Sequence, residues 1–184
     1  GELLFKYGTG NNTYKYHESK LSEGYLKIIY YPLEYYNRNY LPTSRKGTAY
    51  CLRKGKHKKI QHDLTDSILI DGKSNSIGKS HKEVSEIFKK VNIFISYDTY
   101  TAYSKFAALC GCISIVVPDE NITKEEWNSR EYDRYGIAYG FSEDELTKAV
   151  GTAHLLKEQI LHEEEENIEN VKKFIEETEE YFEK

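Results

Sequence analysis

No apolar run in these 184 residues approaches the length needed to cross a bilayer, and no signal-peptide pattern stands at the start. The chain begins at Gly1-Glu2-Leu3 without a methionine, and the expectation is a fragment or a processed chain. Charge of one sign is also lacking. The net charge is −4, which leaves no electrostatic footprint for nucleic acid as a main partner. Cysteine is scarce and odd in number: Cys51, Cys110 and Cys112. This argues against a disulfide framework and for a reduced, cytoplasmic setting. Cys110-Gly111-Cys112 is too close for a usual metal pair and no Cys or His cluster completes a site, so no metal is expected. The triplet reads as small residues at a helix–strand junction.

Several catalytic signatures are missing. No G-x-G-x-x-G follows an apolar run, which counts against a dinucleotide oxidoreductase, and no G-x-S-x-G elbow is present. The string Gly72-Lys73-Ser74-Asn75-Ser76-Ile77-Gly78-Lys79-Ser80 resembles a phosphate-binding loop only in composition. Five residues separate Gly72 from Gly78, where that motif needs four.

Short apolar runs bounded by turn residues are abundant. Runs at Thr48–Leu52, Asp66–Gly72, Ile93–Ser96, Ile113–Val117 and Ile137–Tyr139 read as strands. Helical patterns alternate with most of them. Val84, Ile87, Phe88 and Val91 recur at helical spacing after Ser80, with Glu83 completing a capping box. The segment 97–112 carries small residues on one side. Thr123 with Glu126, and Ser142 with Glu145, mark two further helix starts over 122–132 and 143–158. The expected fold is α/β, a Rossmann-like parallel sheet with helices on both faces.

Outside this core, residues 1–24 read as a strand or two with loop, and 25–31 as a strand ended by Pro32. Residues 33–47 have a linker's composition. The tail 160–184 reads as an amphipathic helix, with Ile160, Leu161, Ile168, Val171, Ile175 and Phe182 as its stripe. Glu163-Glu164-Glu165-Glu166 reads as its solvated side. The expected boundaries are 1–46, 47–159 and 160–184.

Ligands of open parallel sheets bind beyond the carboxyl ends of the strands. The loops expected there are Arg53–Lys56, Asp71–Lys73 and Tyr97–Thr101. Arg53-Lys54-Gly55-Lys56-His57-Lys58-Lys59 is the most basic stretch. It suits a diphosphate, through cations and a close backbone approach at Gly55, and suits equally a solvated loop. Thr99, Thr101 and Ser104 stand near a helix start, where an anion is favoured. Asp98 suits either sugar or ribose hydroxyls or an ordinary cap.

The segments TAYCLRKGK, ISYDTYTAYSKFAALCGCISIVVPDENITKEEW and YGIAYGF resemble the C-terminal half of bacterial GT-B glycosyltransferases of capsule and lipopolysaccharide loci. YDTYTAYSKFAALCGC is the most specific part. The resemblance implies a nucleotide-sugar donor site and transfer to a glycan or lipid-linked acceptor of a surface polysaccharide. It implies no metal and no cofactor. Diphosphate contacts would come from Arg53, Lys54 and Gly55, and base or ribose contacts from near Asp71 and Gly72. Donor sugar or phosphate contacts would come from Tyr97, Asp98, Thr99, Thr101 and Ser104. Two features depart from the pattern. Phe106 stands where many such enzymes carry a second Glu, and residues 1–46 are too few for an acceptor domain. The expectation is a donor-binding half that binds without turning over alone, with no membrane span but with peripheral membrane association admitted. The alternative is a non-catalytic α/β module that binds nucleotide or mediates assembly through its tyrosines and acidic tail.

Overall fold

The structure, a computed structural model, describes residues 30–71 and 79–182. The expectations for 1–29, and for Gly72 and the loop after it to residue 78, fall outside the described residues. The chain divides into two compact units, Pro32–Lys157 and Gly1–Tyr31 with Glu158–Lys184.

The first unit is built on a five-stranded, all-parallel sheet. Its strands are β1 (Thr48–Cys51), β2 (Ser67–Leu69), β3 (Ile93–Ser96), β4 (Ile113–Val116) and β5 (Ile137–Tyr139). Their spatial order is β2-β1-β3-β4-β5. Helices α1 (His81–Lys90), α2 (Tyr103–Leu109), α3 (Lys124–Trp127) and α4 (Glu143–Thr152) connect or follow them. Both faces of the central strands are buried, so they read as continuous apolar runs rather than as alternation. From β1 the chain moves outward to β2; through α1 it returns past β1 to β3 and then continues the other way. The β1/β3 gap is therefore the topological switch point.

Side chains divide by strand parity. Ile95, Tyr97, Ile115, Val117 and Ala138 lie in one buried cluster with Ala149 of α4, and Leu146 and Ile60 pack against it. On the opposite face the ring of Phe88 on α1 meets Phe94 edge-on at 5.0 Å. There Ala107 and Ala108 of α2 are fully buried, and the Ser114 hydroxyl donates to the Ser104 carbonyl at 2.9 Å. Small residues let α2 approach the sheet closely.

Local signals set the helix starts. Ser80–Glu83 and Thr123–Glu126 form reciprocal capping boxes, and the Ser142 hydroxyl accepts the Glu145 N–H. Helix α3 is one turn long, shorter than 122–132, because the chain passes into a 3-10 turn at Glu131–Arg134. The Cys-Gly-Cys triplet is a helix terminator. Gly111 has φ +82°, its N–H reaches the Ala108 carbonyl at 2.9 Å, and the Cys112 N–H reaches that of Ala107 at 2.9 Å. This is the paired pattern of a Schellman cap, and it explains the glycine. All three cysteines are buried and unpaired. Burial pushes the Cys51 thiol to about 12, the Cys110 thiol to about 11 and the Cys112 thiol to about 12, so none ionises near neutrality.

Residues 33–47 have a linker's composition but are docked within this unit. Tyr36 is 1% exposed and stacks on Phe106 of α2, with its hydroxyl 2.9 Å from His81 Nδ1 on α1. Arg45 gathers helix-end carbonyls. Its guanidinium donates to Gly111 at 2.7 Å, to Phe88 at 2.9 Å and to Val91 at 2.5 Å. Carbonyls at helix C-termini lack intrahelical donors and carry the negative end of the dipole, so one cation satisfies both needs. The polar residues that suggest a linker are the ones that dock it.

Described by itself, the second unit contains most of helix α5 (Leu156–Phe182). Of its expected apolar stripe, Leu161, Ile168, Ile175 and Phe182 are 41, 51, 48 and 72% exposed. Glu163 departs from the expected solvated side: it is buried and its carboxylate accepts from Gln159 at 3.4 Å, whereas Glu164, Glu165 and Glu166 are exposed. Among the described residues no helix is long and apolar enough to cross a membrane.

Candidate functional site

A parallel sheet delivers every strand exit to one edge, so the expected loops converge. The connection from β1 to β2, residues 52–66, contains no α-helix. Its Lys, Arg, Gly and His residues offer no apolar periodicity, and it opens instead with a 3-10 turn at Arg53–Gly55. Asp71, at the end of β2, fixes that turn. Its carboxylate accepts the Leu52 N–H at 3.1 and 3.2 Å and the Arg53 N–H at 2.6 Å. Asp71 thus ties two neighbouring strand exits together.

Gly55 is buried against β3's exit. A Cβ there would stand 1.9 Å from the Tyr97 carbonyl oxygen, and its N–H donates to Leu52 at 2.6 Å. Both properties that suit a glycine to a phosphate are used inside the protein. Tyr97 also points inward. It is fully buried, and its hydroxyl receives the Gln61 N–H at 2.7 Å and meets His62 Nδ1 at 2.8 Å.

The basic stretch divides by position. Arg53, Lys54, Lys56 and His57 are exposed, whereas Lys58 turns in. The Lys58 ammonium donates to the Thr99 hydroxyl and the Val117 carbonyl, both at 2.8 Å, and pairs with Asp119 at 2.7 Å. The Thr99 hydroxyl donates to Asp119 at 2.5 Å, and the Thr99 carbonyl accepts the indole N–H of Trp127 at 2.8 Å. Burial alone would raise the Asp119 carboxyl, but hydrogen bonds from Lys58 and Thr99 and the nearby positive charge hold it below its ordinary value. Thr99 and Lys58 therefore clamp the β3 and β4 exits together.

Four nominated residues, Arg53, Lys54, Asp98 and Thr101, remain at the rim. Arg53 adopts φ +38°, a strained conformation for a side-chain-bearing residue. Its side chain is 49% exposed, with its Nε 3.9 Å from the carboxylate of Asp98, which is buried. The guanidinium carbon lies 5.4 Å from the centre of the Tyr103 ring. Asp98 accepts one backbone N–H, from Tyr100, at 3.3 Å. Thr101 is half-buried and caps the Tyr103 N–H at 3.3 Å. Lys54 is exposed beside Arg53. Ser104 lies deeper. It is 3% exposed, and its hydroxyl finds no partner among the described residues. Helix α2 has seven residues and no side-chain cap at Ala102, so it supplies no substantial dipole here.

Tyr103 is not among the sequence candidates, and only its spacing of two residues from Thr101 hints at it. Phe106 is 6% exposed beneath Tyr36, so its position serves packing. Among the described residues no three metal-ligating side chains come together. Comparison with known proteins adds no relative: no family model, no curated protein and no solved structure matches the chain.

Proposed function

We propose that this chain binds a nucleoside-diphosphate sugar at the β1/β3 switch point and forms the donor half of a GT-B-type glycosyltransferase. The observation that carries the reading is Arg53. A half-exposed guanidinium sits on a strained backbone at the switch point, where Asp71 holds the Arg53 backbone N–H and the Tyr103 ring backs the side chain. A planar, permanently charged donor fork in that setting suits a diphosphate. Lys54 adds charge at the same rim. Asp98, a buried carboxylate with one long hydrogen bond, has acceptor capacity left for sugar or ribose hydroxyls. In transfer, Arg53 and Lys54 would stabilise the charge that builds on the departing diphosphate. The acceptor, a glycan or lipid-linked glycan, would be held by other parts of the enzyme. Gly55, Asp71, Tyr97 and Thr99 act in this reading as supports for the rim.

A thermal-shift panel of UDP, GDP, CDP and dTDP and their sugars at millimolar concentration tests the proposal. A melting-temperature rise with one base, lost in Arg53→Ala, is expected. No shift with any of them would overturn it.

The exposed apolar residues of α5 favour a second reading, an assembly module. It predicts an oligomer that dissociates on dilution and is lost when residues 160–184 are removed. A monomer at all concentrations would eliminate it.

A further inference from the structure

The aromatic pair behind the rim has a property that the ligand site does not require. The Tyr97 oxygen receives the Gln61 N–H at 2.7 Å, and its own O–H needs an acceptor. His62 Nδ1, 2.8 Å away, is that acceptor. That geometry suits a neutral imidazole with its proton on Nε2, and Nε2 is buried without a partner among the described residues. We propose that the His62–Tyr97 hydrogen bond is a pH-operated latch, closed when His62 is neutral and opened by its protonation, which frees residues 60–62 from the exit of β3.

The groups that face the ring define its response. Tyr50 of β1 meets it edge-on at 4.9 Å, and Tyr97 lies 5.8 Å away at 33°. Burial raises the Tyr97 hydroxyl above its ordinary value, so that ring adds no charge near neutrality. Asp63, next in sequence, has a carboxylate whose field favours the cation, and it is exposed and already accepts the Thr65 N–H at 2.9 Å. Burial outweighs it and lowers the imidazole below its ordinary value. Protonation turns Nδ1 from acceptor into donor. The Tyr97 oxygen then meets two donors, its own hydrogen loses its acceptor, and a charge is left beside an unsolvated Nε2–H. The segment that lets go is continuous with Arg53 and Lys54, and Gly55 rests on the Tyr97 carbonyl. Acid therefore loosens the basic rim from its support.

Amide hydrogen exchange of the intact chain tests this without any ligand. The Gln61 amide reports the latch, because its N–H is bound to the Tyr97 oxygen. After correction for intrinsic exchange, its protection is expected to fall by at least about tenfold between pH 7.5 and 5.0. A latch with an open-state value near 6.5 allows a limit of roughly 30-fold. The Ile115 amide should stay constant, and in His62→Phe the pH dependence at Gln61 should disappear. Equal protection at both pH values, or an equal fall in His62→Phe, would overturn the proposal. A heteronuclear titration of the wild-type imidazoles provides an independent test if that variant does not fold. His62 titrating at or above 6.5, or carrying its neutral proton on Nδ1, rejects the latch.

Discussion

The rings of Tyr36 and Phe106 lie 4.1 Å apart and 6° from parallel, with Tyr36 bound through its hydroxyl to His81. This stack joins the docked 33–47 segment to α1 and α2 at once. Phe106→Ala is expected to cost about 3–5 kcal/mol by opening a cavity beneath Tyr36. Tyr36→Phe should cost about 1 kcal/mol, the worth of one hydrogen bond. Introducing an acid with Phe106→Glu should unfold the unit, because the buried site strips the carboxylate of water. Urea unfolding followed by circular dichroism checks all three, and a folded Phe106→Glu variant with full stability would contradict the packing role.

Gly55→Ala introduces a methyl 1.9 Å from a backbone carbonyl oxygen that no side-chain rotation can relieve. The β1 exit must separate from the β3 exit. A loss of about 4 kcal/mol is expected, in the range kept for core strain. Differential scanning calorimetry would show it as a drop in Tm, and an unchanged Tm would mean that the turn has room to spare.

Asp119 and Lys58 make a pH-dependent contribution with a definite sign. The Asp119 carboxyl lies below its unfolded value in the native state. Its contribution is therefore complete above the unfolded value near 3.9 and is lost as pH falls through the lower native one. Asp119→Asn should flatten the stability profile in that acid window and leave its shape above pH 5 unchanged. Lys58→Met should cost about 3 kcal/mol by stranding Asp119 and the Val117 carbonyl. Acid titrations of chemical stability for the three proteins measure both effects.

Arg53 separates stability from binding. Arg53→Gly removes a strained φ of +38° while keeping the N–H that Asp71 holds. Its stability should stay within about 1 kcal/mol of the wild type. Affinity for the nucleoside diphosphate that the thermal-shift panel selects should fall at least tenfold, a loss of about 1.4 kcal/mol. Isothermal titration calorimetry reads the second quantity. Unaltered binding in a folded Arg53→Gly variant would remove Arg53 from the site.

Elements fixed by neighbours in sequence were legible in advance. The capping boxes at Ser80–Glu83 and Thr123–Glu126 need only residues three apart, and β3 and β5 lie where their apolar runs lie. Tyr97, nominated as a donor contact, lies in the core instead: it follows Ile93 and Ile95 on one face, so an inward side chain continues the alternation past the strand's end. Contacts between distant segments were not legible. Asp71 holding Arg53 and Gly55 touching Tyr97 depend on strand order, which no local pattern encodes. The 33–47 segment misleads for a related reason. Its arginines resemble solvated linker residues until the helix ends they serve are in place. Glu163 reads as one of four like acids, and only the folded chain distinguishes it.

Arg45 has a practical consequence for dividing the gene. A fragment that begins at β1, where the apolar pattern starts, would lose both Arg45 and Tyr36. The carbonyls of Phe88, Val91 and Gly111 would then face solvent without their shared donor, and Phe106 would be uncovered. Expression trials of Pro32–Lys157 should give folded protein, and trials of Gly47–Lys157 should give aggregates.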